Sequence, residues 1–201
     1  QGYYVVGYVS YEAAPAFEEK LAVHKAPLLG EYLLYFTVHD RVETSPIPLT
    51  YDEVDLPSNW QEVTSAEDYE KAIAQIHYHL RQGDTYQVNY TVQLKQDLSA
   101  NPFAIYNRMV VEQEAGYNAY VEHDEMAVIS MSPELFFEQN GRELTTRPMK
   151  GTTQRGMTDQ EDLEQASWLE QDPKNRSENM MIVDLLRNDM NRISEVGSEH
   201  V

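Results

Sequence analysis

Residues Ser132–Gly156, with the sequence SPELFFEQNGRELTTRPMKGTTQRG, carry the strongest structural signals in the chain. Asn140-Gly141 predicts a two-residue β-turn, because both central positions of a type I′ turn need a positive φ. The flanking segments, Leu135–Glu138 and Arg142–Thr146, have the composition of strands. The stretch therefore predicts a β-hairpin that is followed by a polar, glycine-containing loop.

The register of this hairpin determines which charged side chains meet. With Asn140-Gly141 as the loop, Glu134 faces Arg147 at the open end of the hairpin, and Lys150 follows just beyond. The same register sets Glu138 against Glu143, and like charges on opposed strands are unfavourable. A longer loop would shift the pairing. We expect one carboxylate and two cations close together at the open end.

The composition indicates a folded and strongly acidic chain. It has 201 residues, 41% of them hydrophobic, a formal net charge of −19 and no cysteine. This length is enough for one sizeable domain. The negative charge argues against nucleic acid or an anionic membrane as a partner. The lack of cysteine excludes disulfides and thiolate metal sites. No signal peptide or long apolar run is visible, which favours a soluble cytoplasmic protein.

Periodicity and turn signals predict an α+β chain with many short strands and about four helices. We divide it into scaffold strands and a linker over residues 1–62 and a second part over residues 63–201. The expected strands are Tyr3–Tyr11, Glu31–Val38 with both faces covered, a segment from Gly83–Thr91 to about Leu98, Tyr117–Glu122 and Met126–Met131. The expected helices run from Ser65 to Gly83, over Asn101–Glu114, over Thr158–Gln171 and from Asp172 to about Asn188.

Three motifs in order resemble the chorismate-utilising enzymes, and aminodeoxychorismate synthase component I in particular. They are SPELFF (132–137), RPMKGTTQRG (147–156) and DPKNRSENMMIVDLLRND (172–189). The resemblance implies a two-layer, mostly antiparallel β-sandwich flanked by helices, which is incomplete here because the family continues beyond Val201. We therefore interpret the chain as a fragment with little or no activity alone.

The resemblance also implies catalytic roles. Glu134 matches a glutamate that acts as general acid and base on the C4 hydroxyl of chorismate. Lys150 matches a lysine whose neutral amine attacks C2 of the ring; anthranilate synthases have a small residue there. Gly151 and Thr152 match a pair that contacts substrate, and Arg147 is a further candidate for holding it. A nucleophilic amine must be unprotonated, so we expect burial or nearby cations to lower its pKa.

Other residues complete the implied site. Arg155 is a second cation that would act on Lys150. Glu178 matches a ligand of Mg²⁺, a cation that prefers oxygen ligands and keeps several waters. Gln87 stands where isochorismate and salicylate synthases have a lysine that activates water, a task glutamine cannot perform. Taken without the resemblance, Gln87 would be an ordinary strand residue, Glu178 a partly exposed helix acid and the cations solvated loop charges.

Three hypotheses follow for the function. The first is amination of chorismate in 4-aminobenzoate and folate synthesis, by a transaminase-type transferase that receives ammonia from a glutamine amidotransferase partner. The second is anthranilate synthase component I, against which Lys150 argues. The third is a non-catalytic chorismate-binding or interaction domain. The presence of Glu134, Lys150 and Glu178 favours an enzyme over this third class.

Overall fold

A computed structural model describes residues 2–23, 32–47, 54–56, 58–124 and 126–201. The strands in these ranges are β1 (Tyr4–Val9), β2 (Leu34–His39), β3 (Gln61–Glu62), β4 (Leu94–Lys95), β5 (Tyr117–His123), β6 (Met126–Ser132), β7 (Leu135–Asn140) and β8 (Glu143–Arg147). The helices are α1 (Ala14–Phe17), α2 (Ala66–Gln82), α3 (Pro102–Gln113), α4 (Asp159–Gln171) and α5 (Pro173–Asn191), with a 3₁₀ turn at Tyr11–Ala13.

The described strands form four antiparallel pairs, β1 with β2, β3 with β4, β5 with β6 and β7 with β8. The β1–β2 pair runs from Tyr4 opposite His39 to Val9 opposite Leu34. The predicted α+β class, with antiparallel strands and flanking helices, is thus confirmed.

The long helices begin within one residue of their predicted starts, and α5 ends at Asn191, about three residues beyond its predicted end. The Ser65 hydroxyl accepts the N–H of Asp68 at the start of α2, and Gly83 ends that helix with a φ of 77°. The Thr158 hydroxyl accepts the N–H of Glu161 in the first turn of α4. Capping uses residues only three positions apart, so these boundaries are encoded locally.

Two predicted strands differ from the structure. The segment from Gly83–Thr91 to Leu98 has regular pairing only at β4, because the partner strand β3 offers just two residues. The strand expected at Glu31–Val38 corresponds to β2, but its faces are not both covered: Phe36 is 54% exposed and Val38 66%. Glu31 itself lies outside the described residues.

The β7–β8 hairpin has a different register from the predicted one. Asn140 pairs with Glu143, so the two-residue loop is Gly141-Arg142, and Gly141 has a φ of 62°. A glycine at the first central position is typical of a type II′ turn. This register sets Glu138 opposite Thr145 and so avoids the like-charge pair.

The irregularity between Leu135 and Glu138 changes the open end of the hairpin as well. Leu135, and not Glu134, lies opposite Arg147. The predicted pairing of Glu134 with Arg147 is therefore wrong, and the carboxylate is available to the following loop.

The chain divides into two compact units, one of Gln1–Val42 with Gln113–Val201 and the other of Glu43–Glu112. Few apolar side chains are buried within them: among the described residues these are Ala13, Val54 and Tyr106.

Within the first unit, His123 at the end of β5 joins the β5–β6 pair to the β1–β2 pair. His123 is 7% exposed, and its ring stacks on Tyr35 with 3.8 Å between centroids. The Tyr8 hydroxyl lies 2.9 Å from Nε2 of the same imidazole. Burial, and then the neighbouring phenols of Tyr35 and Tyr32, raise the pKa of Tyr8. The cluster therefore holds a neutral phenol against the imidazole at neutral pH.

The close packing of β1 against β2 at Gly7 predicts that the substitution Gly7→Ala lowers stability. A Cβ at this position would collide with the carbonyl oxygen of Tyr35 and lie 2.6 Å from Cδ1 of Phe36. We expect the free energy of unfolding to fall by about 1–3 kcal/mol, the usual cost of overpacking. Urea denaturation measures this, and Gly2→Ala is the control because a Cβ there meets nothing within 4 Å. Equal stabilities of the two variants would contradict the described packing.

Candidate functional site

Glu134 lies in the link between β6 and β7, and its carboxylate reaches the loop after β8. The Ser132 hydroxyl accepts the N–H of Glu134 at 3.2 Å and donates to its carbonyl oxygen at 3.0 Å, which fixes this link. The N–H of Met149 donates to Oε1 of Glu134 at 3.3 Å. The acid is therefore bonded to the residue directly before Lys150.

Lys150, Gly151 and Thr152 lie in a segment without helix or strand. Lys150 is half-buried and Thr152 is exposed. Gly151 has a φ of 80°, and a Cβ on it would lie 2.8 Å from Oδ1 of Asn175. The close contact with α5 and the left-handed backbone both select glycine here.

Helix α5 presents Asn175 and Glu178 on one side, because residues three apart on a helix are neighbours. Asp172 caps the helix by accepting the N–H of Asn175 at 2.8 Å. Since Asn175 touches Gly151, Glu178 lies one helical turn beyond this contact. The Glu178 side chain is 38% exposed, and its Oε1 is 4.0 Å from Nζ of Lys174. That distance is at the outer limit of an ion pair, so the carboxylate is only weakly held.

Glu178 fits the role of one magnesium ligand. Mg²⁺ is commonly bound through one or two carboxylates, with waters and substrate oxygens completing its octahedron. Over the described ranges, no three His, Cys, Asp or Glu side chains come together as a metal-binding group.

Arg155 forms an ion pair with a carboxylate of α4. Its Nε and Nη2 donate to the two oxygens of Asp162 at 2.6 and 2.7 Å, and the N–H of Gly156 donates to the same carboxylate at 2.9 Å. The hydrogen bond from Arg155, and then that from Gly156, lowers the pKa of Asp162. The hydrogen bond to Asp162 and the charge of its carboxylate raise the pKa of Arg155. The Arg155 guanidinium is thus directed at Asp162, and an effect of Arg155 on Lys150 stays a prediction.

Two further sequence candidates are Arg147 and Gln87. Arg147 ends β8 and is exposed. Gln87 is half-exposed in the second unit, outside the described strands, and its carbonyl oxygen accepts the Thr85 hydroxyl at 3.1 Å. The structure thus brings together Glu134, Lys150 and Gly151, with Glu178 one turn away.

Two residues at the site were not among the sequence candidates, Asn175 and Asp162. Asn175 follows the predicted cap Asp172 by three positions, which indicates its place in the first turn but not its contact with Gly151. Asp162 lies in the predicted first turn of α4, where acids are common because they favour the helix dipole. Nothing in its local sequence indicates that it binds Arg155.

A separate groove of about 1310 Å³ lies between the β7–β8 hairpin and the C-terminal half of α5. Apolar side chains make up much of its wall, including Phe137, Leu144, Leu186 and Met190. It includes Pro148 but none of Glu134, Lys150, Gly151 or Glu178.

The antiparallel strand pairs and flanking helices agree with the α+β fold that the resemblance to the chorismate-utilising enzymes implies. Residues 1–201 match the family of chorismate binding enzymes. The chain belongs to this family.

Individual relatives agree with this assignment. The chain is 36% identical over 159 residues to aminodeoxychorismate synthase component 1 of Klebsiella aerogenes, covering 79% of this chain and 35% of that protein. It is 39% identical over 137 residues to anthranilate synthase component 1 of Lactococcus lactis subsp. lactis, covering 68% and 30%. The chain thus spans about a third of the length of these curated relatives.

The fold resembles that of anthranilate synthase component I from Streptococcus pneumoniae TIGR4, with a TM-score of 0.76 and 21% identity. This likeness covers 95% of the chain and 50% of the other protein, and it concerns the fold alone. None of the helices in the described ranges is both long and apolar enough to cross a membrane.

The contact of Gly151 with Asn175 predicts a difference between two glycine variants. Alanine at positive φ costs about 1–2 kcal/mol, so Gly151→Ala and Gly141→Ala should both lose stability. Gly151→Ala should lose more, because a Cβ on Gly141 meets nothing within 4 Å. Adding Asn175→Ala should restore part of the loss in Gly151→Ala only. Denaturation of the four variants tests this; equal losses in both glycine variants would exclude the contact.

The lowered pKa of Asp162 predicts a pH dependence of folding. The unfolded carboxyl titrates near 3.9, and a lower folded pKa stabilises the native state above that value. The contribution should be full above about pH 5 and should be lost as the pH falls through the folded pKa. Asp162→Asn should therefore be less stable than wild type at pH 6, with a gap that narrows below about pH 4. Thermal unfolding across this range measures the gap, and Asp159→Asn is the control; a gap independent of pH would contradict the ion pair.

Proposed function

We propose that the chain takes part in amination of chorismate at C4, giving 4-amino-4-deoxychorismate. The observation that carries this proposal is the hydrogen bond from the N–H of Met149 to the Glu134 carboxylate. This bond places the Glu134 carboxylate next to Lys150. In anthranilate synthases the position of Lys150 is occupied by a small residue. The product belongs to 4-aminobenzoate and folate synthesis, and we assign the protein to the cytoplasm.

In the proposed mechanism Lys150 is the nucleophile and Glu134 the general acid and base. The lone pair of Lys150 Nζ forms a bond to C2, the ring double bonds shift, and the C4–O bond breaks. Glu134 donates a proton to the departing hydroxyl, which leaves as water. Ammonia then adds at C4, the double bonds shift back, and the C2–N bond breaks to release Lys150. Glu134 recovers a proton from the incoming ammonia.

Other residues of this chain would bind and orient the ring. Gly151 leaves room for close approach of the backbone, Thr152 offers an exposed hydroxyl, and the exposed Arg147 is free of Glu134 to hold a substrate carboxylate. Glu178 would hold Mg²⁺, which when bound would neutralise the ring carboxylate of chorismate. Gln87 lacks the basicity to activate water, which disfavours hydration of the ring.

The proposal includes a glutamine amidotransferase partner as the source of ammonia. The component 1 designation of the relatives supports a second component. The alternative is anthranilate synthesis, which the identity to the Lactococcus lactis protein supports.

A covalent intermediate on Lys150 is the direct test. In a protein extended to the full family length, chorismate and Mg²⁺ without ammonia should leave a ring adduct on the tryptic peptide that contains Lys150, detected by mass spectrometry after rapid acid quench. Lys150→Met should abolish the adduct, because no other amine replaces it. Lys95→Met, which removes an exposed lysine of the second unit, should leave it unchanged.

Three outcomes separate the hypotheses. Formation of fluorescent anthranilate after addition of ammonium would show that the protein makes anthranilate, and the proposed C4 amination would be wrong. Calorimetric binding of chorismate without an adduct or a product would favour a binding domain. We expect the 201 residues alone to turn over little substrate with ammonium and Mg²⁺; turnover equal to that of a full-length relative would refute this part.

A further inference from the structure

The loop that carries Lys150 is fastened beyond the lysine as well as before it. On the near side, the Met149 N–H is bonded to Glu134. On the far side, the Thr153 hydroxyl donates to Oε1 of Gln165 on α4 at 2.8 Å. An irregular segment keeps one conformation only where such contacts oppose its conformational entropy.

The tightest contacts come from the first turn of α4. One carboxylate, Asp162, accepts three hydrogen bonds, two from Arg155 and one from the N–H of Gly156. The Met157 N–H donates to Oε2 of Glu161 at 2.8 Å. Bidentate bonds to a guanidinium are directional as well as strong, so they define the path of the chain at this point.

Gly156 allows this approach because it has no side chain. A Cβ there would collide with the backbone nitrogen of Asp162 and lie 2.7 Å from Cβ of Glu161. The loop therefore lies directly on the backbone of α4, and its position follows the position of that helix turn.

The charge of Arg155 has a role in this contact. The side chain is 86% exposed, yet its Nε and Nη2 donate to the two oxygens of Asp162. An arginine that binds a dianionic substrate would keep its guanidinium donors free for a substrate carboxylate. Its pairing with Asp162 instead removes it from the substrate-binding set.

We infer that Asp162 is a positioning residue for Lys150, acting through Arg155 and the Gly156 amide on the loop between them. This inference rests on the proposed function of Lys150 as the reacting amine. Asp162 touches neither substrate nor the reacting atoms. Asp162 would keep Lys150 half-buried and close to Glu134. It would also limit the orientations that the Lys150 amine can adopt.

The test compares Asp162→Asn with Asp159→Asn, which alters the same helix turn. The Asp159 side chain is exposed and forms no hydrogen bond or ion pair with the described part of the chain. Two reactions are followed at Lys150 by peptide mass spectrometry: adduct formation with chorismate and Mg²⁺, and labelling by trinitrobenzenesulfonate across pH 7 to about pH 10, where free lysine amines titrate.

The expected results have opposite signs. Asp162→Asn should slow the chorismate adduct by about 10- to 100-fold, because small displacements of a reacting group are costly. It should speed labelling of Lys150 and change its pH profile, since the released amine is more exposed. Labelling of Lys174 should stay the same, and Asp159→Asn should behave as wild type. Asp162→Glu should recover part of the chorismate reaction.

The two reactions distinguish failure of this inference from failure of the proposed function. Unchanged labelling of Lys150 in Asp162→Asn would overturn the positioning role. A chorismate adduct missing from wild type would overturn the proposed function, while the labelling still decides whether Asp162 controls Lys150. If Asp162→Asn does not fold, Arg155→Gln breaks the same pair from the other side and should give the same two changes; its failure to do so would count against the inference.

Discussion

Backbone N–H groups in an irregular loop need acceptors other than a helix or a β-ladder. In this chain carboxylates meet that requirement on both sides of Lys150. Glu134 accepts the N–H of Met149, and Asp162 accepts that of Gly156. In a chain with a net charge of −19, such acceptors are plentiful and cations are few. The path of the loop therefore depends on where the acids lie on the neighbouring elements.

This arrangement links the local chemistry of the site to the fold. The β6–β7 link supplies Glu134, and the first turns of α4 and α5 supply Asp162 and Asn175. Each element holds a different part of a loop only a few residues long. The carboxylate of Glu134, the acid of the proposed reaction, is thus also hydrogen-bonded to the lysine loop. This bond holds the carboxylate and the loop in a fixed position relative to each other. Because Asn175 lies against Gly151, Glu178 lies on the side of α5 that faces this loop.

Prediction from sequence succeeded where the interactions were short-range. The caps of α2 and α5, at Ser65 and Asp172, use partners three residues away, and both helices begin as expected. Prediction failed where strand pairing depended on a distant partner strand or on two turn types of nearly equal suitability. The register of β7 and β8 differs from the predicted one because Gly141 suits the first position of a type II′ turn as well as the second of a type I′ turn. The strand expected after Gly83 lacks a partner of matching length.

By itself, the sequence determined the family through three motifs and the helices through their caps, since both are written in contiguous residues. It also identified Glu134 and Lys150 as neighbours of one hairpin. Only the tertiary structure decided that Glu134 bonds to the lysine loop and not to Arg147, and that Arg155 is held by Asp162. These choices depend on how the lysine loop packs against the β6–β7 link and against α4, and that packing is not specified by local spacing.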